Sequence, residues 1–135
     1  MFQFYSKPVM DKKVINTTKA PAPIGPYSQA IISNNMLYMS GQVCINPETN
    51  ELITGDVAAE THQCMRNLEA ILKEAGINFN HVVKTTIFLS DMSLFAQVNE
   101  VYGSYFSTDY PARETVAVKG LPKGVNVEIS MLAAM

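Results

Sequence analysis

The residues whose types and spacing suit them best for chemistry are Arg113, in the run Tyr110-Pro111-Ala112-Arg113-Glu114-Thr115, and Glu128, fifteen positions later. Proline fixes its own φ and pushes the preceding residue toward extended backbone, so Pro111 sets a stiff corner at which a strand can begin, with Arg113 at its mouth. A guanidinium held on such a corner can present its planar fork to a carboxylate or phosphate. A glutamate returning on a neighbouring strand can handle a proton or a water. Taken alone, the six residues fit a solvated arginine in a surface ion pair better, because most charged side chains are exposed.

Further candidates come from the stretches that would surround such a pair. Ala20 to Tyr27 holds Pro21, Pro23 and Pro26 with Gly25, which forbids helix and makes a shaped loop able to hold Tyr27 in place. The alternative for Tyr27 is a ring packed over the edge of the core with its hydroxyl in water. Ser40 falls in a strand and points away from the core face or at a neighbouring strand, and Asn99 falls in a helix. His62 and His81 are the only histidines and do not cluster with cysteines or carboxylates at metal-ligand spacing, so no metal site is expected. Cys44 and Cys64 read as reduced, buried, structural thiols, with no adjacent base for either.

The elements that position these residues follow from periodicity. Ser28 to Ile32 and Met36 to Val43 read as strands joined at Ser33-Asn34-Asn35, whose asparagines tolerate positive φ. Alternation in the second strand sets Leu37, Met39 and Gly41 on one face and Tyr38, Ser40 and Gln42 on the other. Between Asp56 and Ala75, Cys64, Leu68, Ile71, Leu72 and Ala75 recur at helical spacing, and Gly76 stands where a left-handed cap belongs. Val82 to Ser90 then gives a strand with Val83, Thr85, Ile87 and Leu89 alternating against Lys84, Thr86, Phe88 and Ser90. A second helix, capped by Asp91 or Ser93, carries Leu94, Phe95, Val98, Val101, Tyr102 and Tyr105 on one face. Two closing strands follow: Arg113 to Val118, with Arg113, Thr115 and Ala117 on one face, and a strand in which Val125, Val127 and Ile129 alternate with Asn126, Glu128 and Ser130. The fold class is α+β: a single mixed sheet with two helices on one face. Its other face, carrying Tyr38 and Phe88, is left open, which points to self-association.

The 135 residues, 47% hydrophobic and 16% charged, suit one soluble domain over 13–135 behind an N-terminal extension, 1–12. No apolar run approaches a membrane span. Ten basic side chains scattered among twelve acidic ones, for a net charge of -2, speak against nucleic acid as a partner. The first ten residues lack the apolar segment of a secretory signal, so a cytoplasmic location is expected, with mitochondria or a related organelle left open.

Taken together, Gly25-Pro26-Tyr27-Ser28-Gln29-Ala30, Ser40-Gly41-Gln42, Val98-Asn99, Tyr110-Pro111-Ala112-Arg113 and Leu121-Pro122-Lys123-Gly124-Val125-Asn126-Val127-Glu128-Ile129 resemble the RidA/YjgF/UK114 family, also known as endoribonuclease L-PSP. The resemblance runs from about residue 13 to residue 135 and keeps the order and spacing of every block. It implies a chorismate-mutase-like α+β fold and a homotrimer with a barrel-like core and active sites between subunits. It also implies 2-iminobutanoate/2-iminopropanoate deaminase activity without a cofactor, on a small 2-imino acid released as the 2-keto acid. By the same resemblance Arg113 binds the substrate carboxylate and Glu128 positions the water, while Tyr27, Ser40, Asn99 and Thr115 bind substrate. Thr115 departs from the pattern, since many deaminase members carry cysteine there. Two other functions fit the chain: the RNA cleavage of the family's older name, and a non-catalytic trimer that binds small carboxylates.

Overall fold

The computed structural model describes residues 11–135. Most of the expected 1–12 extension therefore lies outside the described residues; Asp11 and Lys12 are exposed and lead into the first strand. Six strands form the main sheet: β1 (Lys13–Ile15), β2 (Ala30–Ser33), β3 (Met36–Gln42), β6 (Val82–Leu89), β7 (Ala112–Ala117) and β8 (Val127–Ala134). Between β3 and β6 come a small hairpin of β4 (Ile45–Asn46) and β5 (Glu51–Leu52) and the long helix α1 (Val57–Glu74). Helix α2 (Phe95–Gly103) connects β6 to β7. The sheet order is β1-β2-β3-β8-β6-β7, with β6 and β7 parallel and every other pair antiparallel.

Local signals set the boundaries. Asn34 and Asn35 take φ of 50° and 60°, the left-handed values that a two-residue hairpin between β2 and β3 requires. Asp56 caps α1 by accepting from the Ala58 N–H at 3.1 Å, and Gly76 continues the chain past the helix at φ 80°. The Asp91 carboxylate accepts from the Ser93 N–H at 2.8 Å, capping a single 3-10 turn that feeds α2.

The core lies between the helices and one face of the sheet. On α1, Cys64, Met65, Leu68, Ile71 and Leu72 are fully buried against Leu37, Ile87, Leu89, Val127, Ile129 and Ala133 of the sheet. At roughly 1.5–3 kcal/mol for each large apolar side chain taken out of water, this layer dominates the stability of the sandwich. The opposite face has no covering layer among the described residues. Tyr38 there is 46% exposed and Phe88, Glu128, Ser130 and Leu132 are half-buried.

Two β-bulges change the expected phase of the strands. In β3, Met39 pairs with Met131 and Gln42 with Ile129, so Ser40 and Gly41 together face Ser130. The extra residue leaves Ser40 and Gly41 both off the core face and turns Gln42 inward, the reverse of the alternation expected for Gly41 and Gln42. In β6, Val82 pairs with Ala133 and Lys84 with Leu132, so Val83 is the extra residue. Val82 takes the core position and Val83 is 45% exposed, against expectation.

The strand order corrects a second expectation. Glu128 does not return beside Arg113. The β6-α2-β7 crossover sets β7 parallel to β6 at the sheet edge, and β8 enters on the far side of β6, where it pairs antiparallel with both β6 and β3.

Candidate active site

Arg113 stands where the corner was expected to put it, but on the helix-covered face. It lies in register with the buried Thr85, and its side chain reaches α2. There Nη1 donates to Asn99 Oδ1 at 2.7 Å, and the guanidinium carbon lies 5.1 Å from the Tyr102 ring centre and 5.6 Å from that of Phe95. All these partners are neutral. The ion pairs among the described residues join Lys73 to Glu69 and Lys84 to Glu114, so Glu114 turns to the open face and leaves its neighbour Arg113 without a carboxylate. A hydrogen bond from Thr86 first, and Lys84 second, holds the Glu114 carboxyl below its ordinary value. Arg113 is thus a positive charge with donors to spare, braced by an amide oxygen and two aromatic faces. It lines a cleft of about 420 Å³ with Asn99, Tyr102, Gly103, Tyr110 and Pro111.

Tyr102 read from the sequence as one more apolar residue of a helix face, yet it fixes this half of the site. Its hydroxyl donates to Thr85 Oγ1 at 3.0 Å, tying α2 to β6 beneath the arginine. Burial raises its pKa, against the Thr85 hydrogen bond and the nearby Arg113, so the phenol stays neutral. Thr115 shares the Arg113 face two residues along, and its Oγ1 is buried without a hydrogen-bond partner among the described residues.

Tyr27, Ser40 and Glu128 gather elsewhere. Tyr27 and Ser40 line a second cleft of about 410 Å³ with Pro26, Ser28, Ile31 and Tyr38. Tyr27 is 53% exposed, and its hydroxyl accepts from the Ile24 N–H at 3.3 Å, closing the proline loop on itself. Ser40 Oγ donates to the Ser28 carbonyl at 2.6 Å. Glu128 is in register with Phe88 on the open face and lies against Gly41, next to Ser40. Burial raises the pKa of its carboxyl.

The structure therefore brings together Arg113, Asn99 and Thr115 at one edge and Tyr27, Ser40 and Glu128 on the other face. Arg113 and Glu128 are two strands apart with the sheet between them.

Two buried polar residues that the sequence reading passed over hold these loops. Gln29, 1% exposed, accepts from the Thr17 N–H at 2.7 Å and donates to the carbonyls of Thr17 and Pro21, each at 2.9 Å, which pins the start of the Tyr27 loop. Glu60, 3% exposed on α1, accepts from the Asn126 N–H at 3.1 Å and from Asn126 Nδ2 at 2.8 Å, and so fixes the backbone two residues before Glu128. Spacing along the chain carries no sign of either, since their partners lie 8 to 12 and 66 positions away. Cys44 Sγ donates to Glu60 Oε1 at 3.5 Å; burial, and then that carboxylate, push its thiol up to about 11. Burial likewise raises the Cys64 thiol, so neither is a nucleophile at neutral pH.

A model of the family described as "Endoribonuclease L-PSP" matches residues 17–135. The chain belongs to the RidA/YjgF/UK114 family. It is 51% identical over 122 residues to the 2-iminobutanoate/2-iminopropanoate deaminase of Mus musculus, covering 90% of each chain. A Rid family protein from Yersinia pestis, of unknown function, superposes with a TM-score of 0.90 at 48% identity, covering 92% of this chain and 99% of that one. The TdcF protein of E. coli, crystallised with bound serine, superposes at 0.87 with 37% identity, covering 91% and 98%. The RidA/YjgF/UK114 fold thus extends over the sheet, both helices and both clefts. No helix among the described residues is long and apolar enough to cross a membrane.

Proposed function

We propose that this protein is a 2-iminobutanoate/2-iminopropanoate deaminase, hydrolysing the reactive enamine and imine products of amino-acid dehydratases to 2-keto acids and ammonia. The observation that carries the reading is Arg113, a braced guanidinium in an aromatic cleft whose partners among the described residues are all neutral. Such a group suits a small carboxylate by a two-pronged, charge-assisted pair. The name of the Mus musculus relative, half identical over nine-tenths of its length, supports the same substrate class.

Arg113 anchors the substrate carboxylate and Asn99 aims the guanidinium. Glu128 takes a proton from water as its oxygen bonds to the imine carbon, and the C=N electron pair moves to nitrogen, which is protonated. Glu128 passes its proton to that nitrogen; in the carbinolamine the hydroxyl proton then moves by way of Glu128 to the amine as the carbonyl forms, the C–N bond breaks and ammonia leaves. Water and imine become keto acid and ammonia, so nothing is oxidised or reduced. Because the imine is already electrophilic, positioning plus acid-base help, each supplying roughly 10² or more, suffices. Tyr27, Ser40 and Thr115 complete the substrate pocket.

The active site is shared between copies in a homotrimer. Supporting this is the separation of the two half-sites: strands lie about 4.8 Å apart, so residues two strands apart and on opposite faces cannot both reach one three- or four-carbon acid. A second copy docked on the open face supplies the missing half. The net charge of -2 and the scattered basic residues speak against RNA as substrate.

A dehydratase acting on serine or threonine supplies the imine, and keto-acid release is followed with wild type, with Arg113→Ala and with no added protein. Wild type accelerates release above the uncatalysed rate and Arg113→Ala does not. Equal rates for the two proteins overturn the reading.

A further inference from the structure

Gly41 is one of three glycines, with Gly103 and Gly120, whose presence a left-handed backbone does not explain. Its φ lies outside the left-handed range that Gly25, Gly55, Gly76 and Gly124 occupy, so any residue could adopt its conformation. Nor is it packed in the core, since it is exposed on the open face. What distinguishes it is a close approach. A Cβ built there would stand 2.5 Å from Glu128 Oε1, 2.9 Å from Cδ and 3.1 Å from Cγ. At none of the other six glycines would a Cβ meet any atom closer than 3.9 Å.

We propose that Gly41 is a positioning residue for Glu128: the absence of its side chain opens the place in which the Glu128 carboxylate lies and from which it meets a ligand. The strand cannot retreat to make room for a larger residue. Met39 and Gln42 are paired to β8 on either side of the bulge, and the Ser40 N–H donates to the Gln29 carbonyl at 2.9 Å while its hydroxyl holds Ser28. The carboxylate can retreat, because it makes no hydrogen bond or ion pair to any described residue and sits at the end of a flexible chain. Adding a methyl group at position 41 therefore leaves the fold in place and swings the carboxylate out of this place into the cleft, where water reaches it. Water would then stabilise its charged form, lowering its proton affinity from the raised value that burial imposes.

Carbon-13 NMR titration of glutamate-labelled protein, with Glu128→Gln used to assign the signal, reads the carboxyl directly. In Gly41→Ala the Glu128 midpoint falls toward the ordinary carboxylate range while the melting temperature changes little. The kinetic arm rests on the deaminase reading, whereas the titration does not. With enzymatically generated 2-iminopropanoate, Gly41→Ala lowers kcat by roughly 10², the effect of a 1 Å misplacement, leaves KM near wild type, and has no further effect in the Glu128→Gln background. An unchanged midpoint overturns the proposal, as does an equal loss of kcat in the Glu128→Gln background. Wild type without hydrolytic activity defeats the deaminase reading instead, and the midpoint still decides the role of Gly41. Should Gly41→Ala fail to fold, Gly41→Ala/Glu128→Ala removes the struck side chain: recovery of the fold supports the close approach, and failure of both variants overturns it.

Discussion

Replacing Arg113 by lysine separates a substrate anchor from a packing residue. Lysine keeps the charge and most of the aliphatic stem that lies against Phe95 and Tyr102, but it exchanges a planar fork for a single ammonium. In the wild type one guanidinium nitrogen is committed to Asn99 Oδ1 at 2.7 Å, which leaves the outer edge to pair with a carboxylate. A charge-assisted hydrogen bond contributes about 1.5–3 kcal/mol, and each 1.4 kcal/mol is tenfold, so losing one arm of the fork costs roughly 10- to 150-fold in substrate binding. The anchor is made equally in the bound substrate and the transition state, so the loss falls on KM and kcat stays within a few-fold. Initial rates of keto-acid formation over a range of imine concentrations, after subtraction of the spontaneous rate, give both constants, and a thermal melt checks the fold. An unchanged KM, or a fall in kcat alone, would refute the assignment of Arg113 as the carboxylate anchor.

Two further substitutions follow from the same geometry. Glu128→Gln should lower kcat by roughly 10² or more through loss of the proton acceptor. Burial within one copy raises the Glu128 pKa. A group whose folded pKa is raised stabilises the fold below its unfolded pKa and loses that contribution as pH rises through the folded value. Glu128→Gln should therefore melt higher than wild type at pH 7, relative to their difference at pH 3; a pH-independent difference would contradict the burial. Thr115→Val should stabilise the protein by about 1 kcal/mol, because it replaces an unpartnered buried hydroxyl with a methyl group of like shape. It should leave kcat/KM unchanged, because position 115 serves the pocket through its backbone. Chemical denaturation and the imine assay check the two halves.

The parts of the fold legible in the sequence are those that local chemistry decides. Helix α1 was expected from Asp56 to Ala75 and runs Val57–Glu74, because its cap, its apolar period and the glycine beyond it all lie within the segment. The Asn34-Asn35 turn was legible for the same reason. The bulges at Ser40-Gly41 and Val83 were not, since an extra residue shows itself only when the partner strand is known. Nor was the insertion of β8 between β3 and β6, which turns Arg113 and Glu128 from expected neighbours into residues on opposite faces. Six candidate site residues were named from the sequence, and they fall into two groups of three. What could not be named were the polar residues behind them, Gln29, Glu60 and the Tyr102 hydroxyl, whose buried partners come from distant parts of the chain.

Subunit mixing asks whether Arg113 of one copy and Glu128 of another form a single hydrolytic site. Arg113→Ala and Glu128→Ala, each inactive alone, are unfolded together in equal amounts, refolded and assayed for imine hydrolysis. In a ring of three copies every mixed trimer has one junction at which an intact arginine meets an intact glutamate. Random mixing should therefore restore about a quarter of the wild-type sites. Recovery near that level is the predicted result; mixed protein no more active than either parent, under conditions in which refolded wild type regains its activity, would contradict a site shared between copies.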